Sequence, residues 1–407
     1  MAADKQDKVL NVPTLRFPEF TDKWKECELQ DIASISKGAG ISKDQLSDTG
    51  EPCILYGELY TKYKSEVITD VLSKTNIDTA NLVRSKANDV IIPSSGETAI
   101  DISTARCVPF DNILLGGDLN ILRLKEQDGR FFSYQLNGVR KLDIAQIAQG
   151  VSVVHLYGES LKRLIVRYPS RSEQQKISSL LASVDERITT QIRIIEKLQS
   201  LMKGLNDYLQ DNVTMSYSLS FSDIGEDYSG LSGKTAEDFG NGKPYITYVS
   251  VYANRFVDEE CCGKVSVGKD EKQNVVLKGD LLFTLSSETP EEVCYGAVYS
   301  GNSTETYLNS FCFGVRNTEG KVFSPYMAYY FNSCRFRREV FPLAQGSTRF
   351  NLQKSDFLRK QFFYPSIDEQ HRIFKLLNAY DNKIKLEYQI LAHYQQQKDF
   401  LLHSLFI

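Results

Sequence analysis

Two segments of the sequence, 148–205 and 344–401, align without gaps at a constant offset of 196 residues. Identical residues occupy 18 of the 58 aligned positions, where ordinary composition would give a handful by chance. The matches include Ala-Gln-Gly at 148–150 and 344–346, and Tyr-Pro-Ser at 168–170 and 364–366. The chain is therefore predicted to contain two copies of one structural unit.

Weaker matches extend the repeat toward the start of each copy. Residues 50–56 resemble 242–248 at an offset of 192, and 95–98 resemble 286–289 at an offset of 191. The slow drift of the offset is expected from short loop insertions. In both copies, short apolar runs bounded by Pro, Gly and Asn predict strands and turns. Each copy is thus expected to begin with a β-rich globular part.

Each copy is expected to end in a long helix. Ser170 with Glu173, and Ser366 with Glu369, form capping-box patterns directly after a proline and predict two helix starts at equivalent positions. Apolar residues then recur at alternating spacings of four and three, which is the period of supercoiled helices. The residues predicted at the interface between the helices are Ile177, Leu181, Val184, Ile188, Gln191, Ile195, Ile373, Leu377, Tyr380, Ile384, Glu387 and Leu391.

Gln191 and Glu387 interrupt these apolar seams and are equivalent under the offset of 196. If a pseudo-two-fold axis relates the copies, the helices run antiparallel and these two side chains approach each other. In the alternative, both face solvent and Ile192 and Tyr388 lie inside. A second alternative is that the two helices are merely amphipathic and pack separately, each on its own globular part.

The sequence therefore predicts an α+β protein. Two β-rich globular domains are joined by two long antiparallel coiled-coil helices in a pseudo-two-fold repeat. The predicted boundaries are 15–168 for the first globular domain, 169–211 for the first helix, 216–364 for the second domain and 365–406 for the second helix.

Composition excludes several classes of protein. The net charge of −4, from 48 basic and 52 acidic residues, is not that of a polycation that coats nucleic acid. No apolar run is long enough for a membrane helix, and the first residues lack the apolar stretch of a signal peptide. Since no Cys-x-x-Cys pair occurs among the eight cysteines, a zinc ribbon is not expected. We expect a cytoplasmic protein.

Motifs for catalysis are absent or incomplete. Gly230–Thr235 resembles the end of a phosphate-binding loop, but Tyr228 stands where the first glycine is required. Neither the four histidines nor the carboxylates show the spacing of a metal or general-acid site. We predict no catalytic residue and no metal site in this chain.

The repeated phrases resemble a known family. They are Ala-Gln-Gly, Tyr-Pro-Ser-x-x-Glu-Gln-x-x-Ile, and the opening Leu15–Phe20 followed by Trp24. Together with the duplicated order of globular part and helix, over about residues 15–406, they resemble the specificity subunit of type I restriction-modification enzymes.

The resemblance implies a division of labour. Each globular part would be a target recognition domain that reads one half of a bipartite, asymmetric site in double-stranded DNA. The helices would space the two domains and dock two modification (methyltransferase) subunits, and restriction (translocase and nuclease) subunits would join the complex. S-adenosylmethionine, ATP and Mg²⁺ would be bound by those partners, and this chain would be non-catalytic and not bound to a membrane.

Loop residues with amide, hydroxyl or cationic side chains are the candidates for DNA contact. In the first copy these are Lys37, Lys43, Lys62, Lys64, Ser94, Ser95, Thr98, Gln149 and Ser152. In the second copy they are Lys234, Arg255, Ser286, Ser287, Thr289, Arg335, Arg337, Arg338, Gln345, Ser347, Thr348 and Arg349. For each residue, a solvated surface position or a turn cap is the alternative.

Two other functions are compatible with the same architecture. The chain could be a structural adaptor, with two protein-binding domains on a helical spacer and no DNA. It could also be a single-chain nuclease, which the missing metal-carboxylate motifs disfavour.

Overall fold

A computed structural model describes residues 12–268 and 270–407 of the protein. The chain divides into two compact units. Unit 1 is formed by the part of the chain up to Ile192 together with Gln389–Ile407, and unit 2 by Arg193–Tyr388. The last segment of the chain therefore belongs to the same unit as the first.

From residue 12 onward, unit 1 has thirteen strands and six short helices before the first long helix. The strands are β1 Lys25–Glu28, β2 Ala33–Lys37, β3 Leu46–Ser47, β4 Glu51–Ile54, β5 Ser73–Thr75, β6 Val83–Arg84, β7 Asp89–Pro93, β8 Ser95–Gly96, β9 Arg106–Val108, β10 Leu114–Leu115, β11 Leu119–Leu124, β12 Val154–His155 and β13 Ile165–Tyr168. The helices are α1 Leu29–Ile32, α2 Glu58–Thr61, α3 Ala99–Ile102, α4 Gly129–Asn137, α5 Lys141–Ile147 and α6 Gly158–Lys162, and a 3₁₀ turn covers Lys43–Gln45.

The strands of unit 1 form four small sheets. Their orders are β1-β13, β3-β5-β4-β10-β6, β2-β11-β7-β9 and β12-β8. In the central sheet β11 is antiparallel to β7, with Leu119 opposite Pro93 and Leu122 opposite Val90. Since every residue of β7 is buried, this sheet is the core of the domain, as its continuous apolar run predicts.

Unit 2 repeats this plan between the two long helices. Its strands are β14 Tyr217–Leu219, β15 Glu226–Ser229, β16 Phe239–Ile246, β17 Phe256–Val257, β18 Cys262–Val265, β19 Leu281–Thr284, β20 Ser286–Ser287, β21 Gly296–Tyr299, β22 Tyr307–Leu308, β23 Cys312–Arg316, β24 Ala344–Gln345, β25 Phe350–Leu352 and β26 Phe362–Tyr364. The sheet orders are β14-β26, β15-β23-β19-β21-β17, β18-β16-β22 and β20-β25-β24.

The long helices are α7, Arg171–Asn212, and α13, Ile367–Ser404. The shorter helices of unit 2, numbered in chain order, are α8 Phe221–Ile224, α9 Tyr248–Ala253, α10 Ser324–Tyr330, α11 Cys334–Val340 and α12 Lys354–Arg359. Single 3₁₀ turns lie at Ala236–Asp238, Glu259–Cys261, Pro290–Glu292 and Phe341–Leu343. The fold is thus mixed α+β with two long helices, as the sequence predicts.

Each unit has an Arg–Asp ion pair at the equivalent place in its central sheet. In unit 1, Arg123 on β11 binds the buried carboxylate of Asp89 through two hydrogen bonds, of 2.9 and 2.7 Å. In unit 2, Arg316 on β23 binds Asp280 in the same way, at 3.2 and 3.0 Å. Because a bidentate pair fixes both distance and orientation, it sets the register of equivalent strands in the two units.

A buried glutamine fixes the start of each long helix. The side chain of Gln174 accepts the amide of Asp128 at 2.9 Å and donates to the carbonyl of Pro169 at 2.9 Å. Gln370 accepts the amide of Phe323 at 2.8 Å and donates to the carbonyl of Pro365 at 2.9 Å. Each helix is therefore tied at its first turn to the globular part of its own unit.

The predicted capping box of the first helix is replaced by a tertiary contact. Glu173 is buried and forms an ion pair with Arg16 at 2.8 Å, so its carboxylate binds a residue near the start of the chain instead of capping the helix. At the second helix, the amide of Glu369 donates to the hydroxyl of Ser366 at 3.3 Å, while its carboxylate pairs with Arg372 at 3.0 Å. The sequence pattern located both helix starts, but not the partners of the two glutamates.

The two helices contact each other in antiparallel directions within each unit. In unit 1, Asp185 of α7 binds Lys398 of α13 at 2.7 Å, and Ile177 shares a core with Leu405. In unit 2, Gln199 of α7 donates to the hydroxyl of Tyr388 at 3.1 Å. The seam residues predicted from the heptad pattern are all buried or half-buried.

Gln191 and Glu387 are both 6% exposed, whereas Tyr388 is 47% exposed. The alternative in which these two polar residues face solvent is therefore wrong. The carboxylate of Glu387 pairs with Lys383, one turn earlier, at 2.5 Å. Their approach to each other stays a prediction.

Equivalent aspartates join the helices to the globular parts. The hydroxyl of Tyr134 on α4 donates to Asp185 at 2.7 Å, and that of Tyr329 on α10 donates to Asp381 at 2.7 Å. Burial, and then the aspartate charge, raises the pKa of Tyr134 far above its ordinary value. Burial raises the pKa of Tyr329 as well, so both hydroxyls are protonated and donate to the helix at neutral pH.

The cation that pairs with the helix aspartate comes from a different part of the chain in each unit. In unit 1 it is Lys398 of α13, which also binds Glu66. Burial alone would lower the pKa of Lys398, but the two carboxylates outweigh it and hold that pKa above its ordinary value. In unit 2 it is Arg255, which follows α9 and binds Asp381 at 2.8 Å. Met202 is the counterpart of Lys398 under the offset of 196.

We predict that Lys398→Met destabilises the protein by about 3–5 kcal/mol, because it removes the lysine that binds the buried carboxylates of Asp185 and Glu66. The measurement is chemical denaturation followed by circular dichroism. Lys385→Met, at an exposed position of the same helix, is the control and is expected to stay within about 0.5 kcal/mol of the unchanged protein. Equal stabilities of the two variants would contradict the role of the cluster.

Candidate nucleic-acid interface

Each unit carries a small β-hairpin formed by its Ala-Gln-Gly phrase. In unit 1, Gln149 and His155 exchange two backbone hydrogen bonds of 2.9 and 2.7 Å, and β12 pairs with β8. In unit 2, β24 pairs with β25, which in turn pairs with β20. We call this arrangement the hairpin platform; its tips are residues 150–153 in unit 1 and 346–349 in unit 2.

A glycine shapes the tip of each hairpin. Gly150 has a φ of +121° and Gly346 a φ of +137°, a region that residues with a side chain avoid. A Cβ at either position would lie 2.1 Å from a backbone oxygen, that of Val153 or of Arg349. The repeat thus preserves the residue that the turn needs, while the three residues that follow it differ.

Serines form the inner strand of each platform. Ser94, Ser95 and Ser287 are buried, and β8 and β20 contain Ser95 and Ser286. The hydroxyl of Thr98 accepts the amide of Asp101 at 3.1 Å and caps α3. Thr289 precedes the 3₁₀ turn Pro290–Glu292 at the corresponding place. These predicted DNA contacts therefore lie on the platforms, where several of them support the local fold.

A short helix that carries tyrosine adjoins each platform. In unit 2, the hydroxyl of Tyr248 on α9 donates to the carbonyl of Ser286 at 2.6 Å, and the rings of Tyr248 and Tyr252 stack with centroids 6.2 Å apart. In unit 1, Tyr60 on α2 lies beside Gly96 of β8. Tyr60 and Tyr252 are equivalent at the same offset of 192 that relates residues 50–56 to 242–248.

In unit 2 these elements surround a cavity of about 500 Å³. Its lining residues are Tyr248, Val249, Tyr252, Ser286, Ser287, Glu288, Glu292, Phe311 and Arg349. Val249 is 67% exposed and Phe311 57% exposed, so the mouth of the cavity has apolar edges. Sequence reasoning missed Val249 and Phe311, because their exposure depends on how distant segments meet.

Electrostatics in this cavity is dominated by carboxylates. The hydroxyl of Tyr252 donates to Glu292 at 2.6 Å, and this hydrogen bond raises the pKa of Tyr252 to about 12. Glu288 is exposed on the rim. Arg349 is the cation that lines the same cavity.

Unit 1 has its own concave surface, a cavity of about 680 Å³. It is lined by Lys43 and Lys62 among others, and by Tyr56, Gly57 and Asp118, which are the repeat counterparts of Tyr248, Val249 and Phe311. Lys62 pairs with Glu58 at 2.6 Å, and Lys64 donates to the carbonyl of Thr61 at 3.1 Å. Lys37 is exposed at the end of β2.

Several predicted cations of unit 2 have partners inside the protein. The side chain of Lys234 is 8% exposed and binds Glu271 at 2.6 Å, an interaction that lowers the pKa of Glu271 to about 2. Arg337 donates to the carbonyls of Cys294, Glu291 and Val293 at 2.6–2.8 Å. The structure thus uses these side chains, like Arg255, to hold unit 2 together.

The other two arginines of α11 bind the end of α7. Arg335 donates to the carbonyl of Gln210 at 3.2 Å, and Arg338 pairs with Asp211 at 3.1 Å. The remaining predicted residues, Gln149, Ser152, Gln345, Ser347, Thr348 and Arg349, are exposed on the hairpins. Six of the candidates that face solvent therefore lie on the two hairpins.

The segment Gly230–Thr235, with its partial phosphate-loop pattern, does not form such a loop. Thr235 precedes only the 3₁₀ turn Ala236–Asp238, and no long helix follows to present its N-terminus to a phosphate. Within the described ranges, no group of three or more His, Cys, Asp or Glu side chains could hold a metal ion.

We predict that Gly346→Ala opens the hairpin of unit 2, because a Cβ would collide with the carbonyl of Arg349 in a backbone region that costs about 1–3 kcal/mol for other residues. Amide hydrogen exchange should become faster at Gln345 and Asn351. The control is Gly320→Ala. Gly320 also has a positive φ, of +62°, but no atom lies within 4 Å of the position that a Cβ would occupy. If this control loosens the hairpin as much, the steric argument is wrong.

The family model for the type I restriction modification DNA specificity domain matches the chain twice, at residues 21–200 and 220–394. No helix in the described parts of the chain is long and apolar enough to cross a membrane. The first match ends within α7 and the second within α13.

Two solved structures share the fold. One is the S subunit of a type I restriction-modification system from M. genitalium, with a TM-score of 0.56 and 16% identity over 97% of this chain and 99% of that one. The other is a chain from a study of complex assembly and conformational transition of the type I R-M system, with a TM-score of 0.60 and 12% identity over 93% and 96%.

The two family matches together cover far more than half of the sequence, and each ends within the long helix that follows its own globular part. The chain belongs to the family of type I restriction-modification DNA specificity domains and carries two of them.

Proposed function

We propose that the chain is the DNA specificity subunit of a type I restriction-modification complex, and that each unit reads one half of a bipartite, asymmetric site. The observation that carries this proposal is the pair of hairpin platforms. Their backbones are equivalent, down to the glycine of positive φ, whereas their tips read Val-Ser-Val at 151–153 and Ser-Thr-Arg at 347–349. Two readers with one scaffold and different tips suit a site with two different halves.

The long helices suit the role of a spacer. At 1.5 Å per residue, α7 and α13 extend roughly 55–65 Å, while a DNA duplex advances about 34 Å per turn. We infer that the helices fix the gap between the two half-sites.

Exposed apolar residues on the helices support docking of the two modification subunits there. Ile194, Leu201 and Tyr208 follow one another at intervals of seven residues on α7 and are 40%, 53% and 63% exposed. A stripe with this spacing lies on one side of a helix. Leu376 and Leu386 on α13 are similarly exposed, by 43% and 49%. Such a row is suited to packing against a helix of a partner protein.

We infer that the chemistry belongs to partner subunits. S-adenosylmethionine would be bound by the modification subunits, and ATP and Mg²⁺ by the restriction subunits. The net charge of −4 agrees with this arrangement, because partners that surround the duplex would supply much of the phosphate neutralisation. In this proposal the chain contributes sequence selection and geometry, and no catalytic residue.

A gel shift separates this function from that of a protein adaptor. We expect the modification subunits to retain duplex DNA that contains the target site more tightly when this chain is present. Replacing Ser347–Arg349 with Gly-Ser-Gly should remove the preference for the site and leave assembly intact, as measured by size-exclusion chromatography. If assembly occurs but the chain never changes DNA selection, the adaptor function would be favoured.

The proposal that each unit reads its own half of the site gives a second test. Exchanging residues 15–168 for the corresponding segment of another family member should change one half of the methylated motif and leave the other half unchanged, because each unit has its own platform and core. Mapping of methylated sites in a genome measures the motif. A change in both halves would mean that the two units do not read DNA independently.

A further inference from the structure

Arg349 differs from the other arginines near the core of unit 2. Arg255, Arg316 and Arg337 are held by a carboxylate or by carbonyl oxygens. Arg349 is exposed at the tip of the β24–β25 hairpin, and its side chain forms no ion pair or hydrogen bond with another residue in the described parts of the chain. Its guanidinium is therefore available to a ligand.

The surroundings of Arg349 are unfavourable for a phosphate. The cavity that it lines also contains Glu288, exposed on the rim, and Glu292. Two carboxylates repel a phosphate group, whereas the edges of DNA bases are uncharged and offer both donors and acceptors. A cation and a carboxylate on one concave surface thus match a base edge better than the sugar-phosphate backbone.

The combination matches one base pair in particular. In the major groove, arginine can bind O6 and N7 of guanine at once, and a glutamate can accept a hydrogen bond from the N4 amino group of cytosine. We infer that unit 2 reads a G·C pair, with Arg349 on the guanine and Glu288 on the cytosine. This inference rests on the proposed function and adds the identity of one base pair in one half-site.

Unit 1 lacks this combination at the equivalent place. Glu97 is the counterpart of Glu288, but Val153, 53% exposed, stands in place of Arg349, and Val151 is 96% exposed. Exposed valines can contact the methyl group of thymine and cannot bind guanine. The hairpin tip therefore carries a guanine-binding group in unit 2 and not in unit 1, and the two half-sites need not share this contact.

The test uses the assembled methyltransferase, made of this chain and its modification subunits, on a library of DNA sequences. Arg349→Ala should reduce discrimination at one base pair of one half-site by roughly 5- to 150-fold. Glu288→Ala should reduce it at the same base pair. Arg349→Gln should move the preference there from guanine toward adenine, because a glutamine side chain can bind N6 and N7 of adenine.

Arg359→Ala is the matched control, since Arg359 is an exposed arginine of the same unit that does not line the cavity. It should leave the motif unchanged. Two results would overturn the inference. One is relaxation of different base pairs by the Arg349 and Glu288 variants, or of none. The other is an equal loss of affinity for all sequences, with a salt dependence reduced by about one phosphate contact.

If the proposed function itself were wrong, the experiments would give a different result. In that case the unchanged complex would show no bipartite motif, and exchange of residues 15–168 would have no effect on DNA selection. A unit that reads DNA through other residues would keep its bipartite motif in every Arg349 and Glu288 variant, which rejects the inference alone.

Discussion

An aspartate on each long helix, bound by a tyrosine of the adjoining globular part, is the contact on which the rest of the structure depends. Asp185 receives the hydroxyl of Tyr134, and Asp381 that of Tyr329, both at 2.7 Å. Asp185 is buried and Asp381 half-buried, and a carboxylate withdrawn from water is destabilising unless a donor and a cation bind it. The donor and the cation both reach the aspartate only when the helix and the globular part are in one arrangement. The orientation of each globular part on its helix is therefore fixed.

The source of the cation shows how one unit can be built from two distant parts of the chain. In unit 1, Lys398 reaches Asp185 from the end of α13, and Leu401, Leu402, Leu405 and Phe406 enter the same core. In unit 2, Arg255 belongs to the globular part itself. The aspartate is therefore common to both copies of the repeat, but its neutralisation in unit 1 depends on the last segment of the chain. Loss of that segment should damage unit 1 before unit 2.

The repeat made much of the fold predictable. Equal spacing and identical residues located both long helices, and the identity of Asp185 and Asp381 was visible in the alignment. The partners of charged residues were not, because they are distant in sequence. Lys234 binds Glu271, and Arg337 binds carbonyls more than 40 residues away. A pattern of local spacing carries no information on such pairs, so cations that serve the fold were expected to face DNA.

The hairpin tips show why specificity can vary without loss of the fold. Gly150 and Gly346 must keep their positive φ, and the strands beside them must keep their pairing. The three residues that follow each glycine are exposed and take no part in either core. Substitutions there change the groups offered to a base edge, at little cost in stability. A scaffold with fixed strands and free tips can therefore present valine in one copy and arginine in the other.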